Sequence, residues 1–162
     1  FYTISSPDAD GEVEITVDAG PESGAVAGAL AGLEPGATVT IAGPFGDQYY
    51  DDEPRPVLLA GGPGVGPAVA IAGRALAAGN EAVVVYRDDA PIHRDRLDAL
   101  RDRGVSVTVL DADASLTDAV ADALERDGQV FVYGFEGFVD DALDAVVAAG
   151  DDPDAATVEN FG

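Results

Sequence analysis

One stretch, residues 57–76 (VLLAGGPGVGPAVAIAGRAL), constrains the fold more than any other. Residues 56–60 are a short apolar run, the pattern of a parallel strand buried on both faces. Gly61, Gly62, Gly64 and Gly66 follow at once, and glycine lets a backbone turn sharply while something approaches it closely. Pro67 suits the first turn of a helix, where its missing N–H costs nothing. From there to residue 78 the chain is mostly small and apolar, as a helix packed tightly on a sheet should be. Strand, glycine turn and helix start together aim free N–H groups and the helix dipole at one spot, which favours a phosphate. A tight strand–helix turn with no ligand fits the same residues.

Two common phosphate loops are excluded. A Walker loop needs Gly-Lys-Ser/Thr, and the sequence contains no lysine. The pattern GxGxxG fits Gly62 and Gly64, but its third glycine falls on Pro67. The acidic residue expected about 20 positions further on, at the end of the next strand, is replaced by Tyr86-Arg87. The loop is dinucleotide-like without being the standard version.

The surrounding chain must supply the sheet that this turn belongs to. Strands are expected at 56–60, 82–86, 105–110, 129–133 and 156–159, with helices at 66–79, 93–103, 115–127 and 137–149. That alternation gives an α/β fold class: a five-stranded parallel doubly wound sheet of order 3-2-1-4-5 with helices on both faces. In such a sheet a ligand sits outside the carboxyl ends of the strands where the order reverses, here between the first and fourth. Those two strands end in Gly61-Gly62-Pro63-Gly64 and in Tyr133-Gly134-Phe135-Glu136-Gly137, so two glycine-bearing loops meet at one crevice.

Before the sheet the pattern differs. Residues 1–7 and 38–42 read as strands, 12–17 (EVEITV) alternates as a half-buried antiparallel strand does, and 24–33 reads as a short helix. These elements suit a barrel or a sandwich but are too few to close one. Residues 48–55, with their aspartates and Pro54, form the expected linker. The organisation is thus a partial antiparallel β-barrel over 1–53 and a Rossmann-like unit over 54–162.

Charge narrows the partners. The formal net charge is −23, with 31 acidic residues against eight basic ones, all arginine. Such a surface repels nucleic acid and anionic membranes, and its self-repulsion is best tolerated where salt screens it. A cytoplasmic protein of a halophile is the expectation. No run of 18 apolar residues offers a membrane span, and no signal peptide opens the chain. The absence of cysteine excludes disulfides, thiolate chemistry and cysteine-ligated clusters, and no metal site is expected.

With these motifs in order, the chain resembles the ferredoxin–NADP reductase superfamily, which joins an FAD-binding barrel to an NAD(P)-binding sheet. Phe1-Tyr2-Thr3 is similar to the end of that family's Arg-x-Tyr-Ser/Thr flavin motif. The likeness implies that Tyr2 stacks on the isoalloxazine, that Thr3 hydrogen-bonds near flavin N5, and that Ser5 belongs to the same flavin-facing set. Gly24, Ala25, Val26 and Ala27 resemble the Gly-x-x-Ser segment that holds the FAD pyrophosphate, with Ala27 where serine is usual. Pro35-Gly36, followed by 39–46, matches the PG-x-x-V…GP-x-G stretch.

In the second half, Gly61-Gly62-Pro63-Gly64-Val65-Gly66-Pro67 resembles the family's GG-x-G-x-x-P loop for the nicotinamide nucleotide. Tyr133-Gly134-Phe135 stands in the place of a Cys-Gly-Pro turn beside the nicotinamide. The terminal Glu159-Asn160-Phe161-Gly162 resembles Glu-x-Phe-Gly, with Phe161 near the flavin face. The implied catalytic set is Thr3, Tyr133, Glu159 and Phe161. The family's flavin domain has several strands and an arginine ahead of Tyr2 that this sequence lacks, so a fragment or a truncated gene model is expected.

The resemblance implies hydride transfer between NAD(P)H and FAD, with electrons passed to a separate acceptor. Ferredoxin, flavodoxin, a quinone and an oxygenase component all remain open as that acceptor. A non-catalytic nucleotide-binding subunit or sensor is the alternative. Tyr86 and Arg87 end the second strand, where an adenosine ribose lies. Arg87 suits a 2′-phosphate, Asp88 and Asp89 a free 2′-hydroxyl, and an ion pair of Arg87 with those aspartates is equally open. His93 reads as a solvated surface histidine, and Arg94, Arg96, Arg101 and Arg103 as the solvated face of a helix. Phe45, Tyr49 and Tyr50 suit core or interdomain packing better than an adenine.

Overall fold

The structure, a computed structural model, describes residues 2–8, 11–20, 24–43, 45 and 49–162. Strand β1 (Pro56–Gly61) is buried along its whole length. Its alternate side chains serve two cores. Leu58 and Ala60 pack with Val65, Ala68, Val84 and Phe131, whereas Val57 and Leu59 pack with Val85, Val120, Val132 and Phe138. A strand covered on both faces has no side for water, which is why the run is apolar throughout. Each leucine so buried contributes roughly 1.5–3 kcal/mol.

Around β1 lie β2 (Val83–Arg87), β3 (Ser106–Leu110), β4 (Gln129–Gly134) and β5 (Thr157–Asn160). All pairings are parallel and the order is β3-β2-β1-β4-β5, as expected. Helix α1 (Ala25–Ala31) precedes the sheet, and the crossovers are α2 (Val65–Ala77), α3 (Arg94–Asp102), α4 (Thr117–Ala123) and α5 (Glu136–Ala148). In α2 the buried face is made of Ala68, Val69, Ala72 and Ala75, small enough to bring the helix close to the sheet. Helix α4 ends earlier than expected. Arg55 Nη2 donates to the carbonyl of Ala123 at 2.8 Å and Nη1 to that of Arg126 at 2.7 Å. Carbonyls that a further helical turn would use are thereby satisfied by a guanidinium.

The chain before β1 departs from the expected barrel. Among the described residues its only antiparallel pairing is a single bridge between Ile4 and Ile15, with Ser5 N–H donating to the Glu14 carbonyl at 2.8 Å. Residues 38–42 form no strand, and Val39 and Ile41 are exposed. An alternating strand needs a neighbour for its hydrogen bonds and its apolar face, and the described residues supply none. The helix expected at 24–33 is present as α1. Pro44, Gly46 and Gln48 lie outside the described residues, as does Phe1. Tyr50 of the expected linker packs edge-on against Phe131, its ring centroid 6.5 Å away, and its hydroxyl accepts from Asn80 at 3.0 Å. Phe45 and Tyr49, by contrast, are exposed.

A polar clasp holds the first segment on the sheet unit. Ser5 is fully buried, and its Oγ lies 2.8 Å from Thr16 Oγ1, which in turn lies 2.8 Å from His93 Nε2. Arg96 donates to the Ser5 carbonyl at 2.8 Å and to Glu14 Oε1 at 2.7 Å. His93 and Arg96 are therefore corrected from solvated surface residues to docking residues. Ser5, expected among the cofactor-facing residues, has its hydroxyl in this clasp. His93 precedes α3 in the left-handed region, φ 52°. Burial, then the Arg96 charge, pull its pKa below the usual 6.5, against an opposing pull from Glu14.

Candidate functional site

The strand registers bring the expected residues together at the carboxyl edge of the sheet. Tyr86, Ala60, Tyr133 and Glu159 lie side by side across β2, β1, β4 and β5. One residue further out, Arg87 pairs with Gly61 and Gly134 with Asn160. The crossing between β1 and β4 is the reversal point of the sheet, so the crevice falls where the topology requires.

The glycine turn there divides by role. A Cβ on Gly61 would come within 2.6 Å of the Phe138 ring, and one on Gly134 within 2.6 Å of the same ring from the next strand. A Cβ on Gly64 would lie 2.7 Å from the Tyr133 carbonyl carbon, closer still to its oxygen. A Cβ on Gly66 would come within 2.8 Å of Thr16. These four glycines allow protein parts to touch. Gly62 differs, with φ +55° and nothing within 4 Å of where its Cβ would stand. Only Gly62, among the glycines of this loop, combines a left-handed backbone with open space in front of it. It opens a short 3₁₀ turn (Gly62–Gly64) that runs directly into α2.

Facing this turn is a cleft of about 600 Å³. The first segment contributes Tyr2, Thr3, Thr16, Val17 and Asp18, and the start of α1 contributes Gly24, Val26 and Ala27. The glycine loop adds Pro63 and Pro67, and Phe135 and Phe161 form the far wall. Phe135 and Phe161 meet edge to face, with centroids 6.1 Å apart and planes at 89°. Phe161 is held by its N–H donating to the Gly134 carbonyl at 3.0 Å. Thr3 Oγ1 donates to Glu159 Oε1 at 2.5 Å, tying the two ends of the chain together across the cleft. Among the described residues no arginine lines it, and Asp18 is the one charged lining residue.

Several of the expected site side chains lie in the core. Tyr86 and Tyr133 are 0% and 1% exposed. The Tyr133 ring stacks on Phe131 with planes 8° apart, and the Tyr86 hydroxyl donates to Asp88 at 3.0 Å. Burial raises the pKa of both phenols, with Glu159 adding to the effect at Tyr133. Both are core residues, and so is Val65, which is fully buried. Ala25 is exposed and does not line the cleft. Thr16, Val17 and Asp18 are lining residues that the sequence reading passed over. The signal was present in the 12–17 alternation, which places Glu14, Thr16 and Asp18 on one side of the strand.

Arg87 lies in a second hollow, about 330 Å³, together with Asp113, Ser115, Thr117, Asp141 and Asp144. Its Nη2 donates to Asp141 Oδ2 at 2.7 Å and its Nη1 to the Ala114 carbonyl at 3.3 Å. Its guanidinium also sits 5.2 Å from the centre of the Phe138 ring. Of the readings left open for Arg87, the ion pair is the one the structure forms, with Asp141 of α5 rather than with Asp88 or Asp89.

Among solved structures the chain is similar to the crystal structure of Amycolatopsis cytochrome P450 reductase GcoB. The TM-score is 0.73 at 20% identity, over 99% of this chain and 55% of that one. This likeness establishes the fold. The chain spans about half the length of that reductase. No protein-family model matches the sequence, and no curated protein does. No helix among the described residues is long and apolar enough to cross a membrane.

Proposed function

We propose that the chain is a flavin-dependent oxidoreductase in which NAD(P)H and FAD meet in the large cleft and electrons pass on to a separate acceptor. The observation that carries this reading is the composition of the cleft. Tyr2 and Thr3 from the first segment, and Pro63 and Pro67 from the glycine loop, open onto one space closed by Phe135 and Phe161. Its volume and its aromatic and apolar walls fit a flat ring system. Gly62, open and left-handed at the foot of the thirteen-residue helix α2, fits a nucleotide phosphate. The description of the structural neighbour as a cytochrome P450 reductase supports the same reaction class.

In this reading residues 1–53 form the flavin-binding part and 54–162 the nicotinamide-nucleotide part. When bound, the two cofactors carry the redox chemistry between themselves and need no side-chain acid. The residues of this chain bind and orient. Tyr2, which lines the cleft, would stack on a bound isoalloxazine. Glu159 takes the Thr3 hydroxyl proton in a hydrogen bond, leaving the Thr3 oxygen lone pairs for a donor on the ligand. Phe135 and Phe161 would keep water from that wall, and the open backbone at Gly62 would lie against the nucleotide phosphates. Gly24, Val26 and Ala27 offer backbone alone to the FAD diphosphate, so flavin is held weakly. The net charge of −23 suits a salt-rich cytoplasm.

A non-catalytic nucleotide-binding subunit is the second reading, favoured by the single β-bridge in the first segment and the absence of a cation in the cleft among the described residues. Whether the chain, given excess FAD, accelerates its reduction by NADH separates the two.

A further inference from the structure

We infer that the pairing of Arg87 with Asp141 makes this chain select the dinucleotide with a free adenosine 2′-hydroxyl, NADH, over the 2′-phosphorylated NADPH. The inference rests on the nicotinamide-nucleotide site proposed above. If the nicotinamide end lies at the Phe135 and Phe161 wall and the diphosphate at Gly62, the adenosine end runs outward over β2. Arg87 is the last residue of that strand and stands beside Gly61 in register. The residue at this place in a doubly wound sheet meets the ribose, and an arginine there accommodates a 2′-phosphate only if its donors are free.

Here two of its five N–H donors are engaged and the side chain is held on the far partners. One nitrogen of the fork is on Asp141 and another on the Ala114 carbonyl, and the Phe138 ring lies within cation–π distance of the guanidinium. The Arg87 side chain is 12% exposed, whereas that of Asp141 is 57% exposed. Three of these contacts come from two different elements, the loop before α4 and helix α5. Turning Arg87 outward would break them together. Phe138 also fills the space left by Gly61 and Gly134, so the ring beneath Arg87 is itself fixed by the sheet.

The rest of the hollow has the wrong sign for a phosphate. Its other charged residues are Asp113, Asp141 and Asp144, and Arg87 neutralises one of them. A 2′-phosphate brings between one and two further negative charges at neutral pH, by analogy with other phosphate monoesters. A ribose hydroxyl instead donates a hydrogen bond to a carboxylate. Asp88 and Asp89 add to the same field while each accepts a backbone N–H, from Ala90 and Ala112 respectively.

The test is equilibrium titration of the full chain with NADH and with NADPH, without flavin, at one fixed salt concentration because phosphate contacts are screened. Three proteins are compared: wild type, Asp141→Asn, and Asp140→Asn, which removes the same charge from an exposed neighbour on α5. Wild type is expected to bind NADH about tenfold more tightly, the scale of one near-surface charge interaction. Asp141→Asn, by releasing Arg87, should bring the two affinities within about threefold. Asp140→Asn should leave the ratio unchanged. A wild type that binds NADPH as tightly as NADH overturns the inference, as does an Asp141→Asn ratio no different from that of Asp140→Asn. Binding of neither nucleotide by the folded chain overturns the underlying site as well, a result distinct from the other two.

Discussion

The two central glycines of the turn should fail in opposite ways when substituted. A methyl on Gly64 would stand 2.7 Å from the Tyr133 carbonyl carbon, where ordinary contacts begin at 3.4 Å. The obstacle is backbone of a central strand rather than the tip of a flexible side chain, so turn and strand must separate by several tenths of an ångström or more. Overpacking of this kind costs about 1–3 kcal/mol, and a backbone clash belongs at the top of that range. For a chain of this size about 3 kcal/mol corresponds to a loss of roughly 6–12 °C in Tm. Gly62→Ala meets nothing, and its cost is the left-handed backbone, about 1–2 kcal/mol. Its methyl nevertheless occupies the space assigned to the nucleotide, so NADH affinity should fall about tenfold, or about 1.4 kcal/mol. Gly62→Asn tolerates the backbone better and should recover most of the stability without recovering the binding. Urea unfolding and NADH titration on the three variants measure both quantities. A Gly64→Ala protein within about 0.5 kcal/mol of wild type, the usual range of neutral surface changes, would refute the assignment of Gly64 to packing.

Two further outcomes follow from charge. Melting midpoints should rise as KCl is increased from about 0.1 M to about 1 M, because the screening length falls from about 10 Å to about 3 Å while the net charge stays at −23; a flat series would contradict the salt-adapted reading. The clasp should also respond to acid. The pKa of His93 is lowered on folding, so the unfolded chain takes up the proton first and stability is lost as pH falls below the usual value of 6.5. The contribution is complete above that value. His93→Asn, which keeps a residue tolerant of the left-handed backbone, should lose less stability than wild type between about pH 7 and pH 5; identical profiles would remove His93 from the account.

The parallel sheet was legible because its signals are local. An apolar run bounded by turn residues defines a buried strand, and strand–helix alternation then leaves few topologies. Every strand end in the sheet falls within one residue of its expected place. Ends decided by distant partners were not legible, as in α4, which stops where Arg55 takes its carbonyls. Glycine runs are ambiguous for a related reason. The sequence marks where a side chain is forbidden but does not say whether Phe138, Tyr133, Thr16 or a ligand occupies the space. His93 and Arg96 looked solvated because their partners, Thr16 and Glu14, are about 80 residues away in the chain. The polar alternation at 12–17 carried the needed hint, but only on one side of the contact.

In the proposed function Tyr2, Thr3 and Phe161 share a working cleft with Pro63 of the Gly62 turn. The most direct measurement is anaerobic loss of flavin absorbance when NADH is added to the chain with FAD in excess. The account predicts reduction faster than in a mixture of free FAD and NADH. It also predicts that Tyr2→Ala, at an exposed position, weakens FAD binding by about 0.5–1.5 kcal/mol, or about 2- to 12-fold, and leaves NADH binding unchanged. A folded chain that binds both cofactors yet reduces flavin no faster than the free mixture would contradict it.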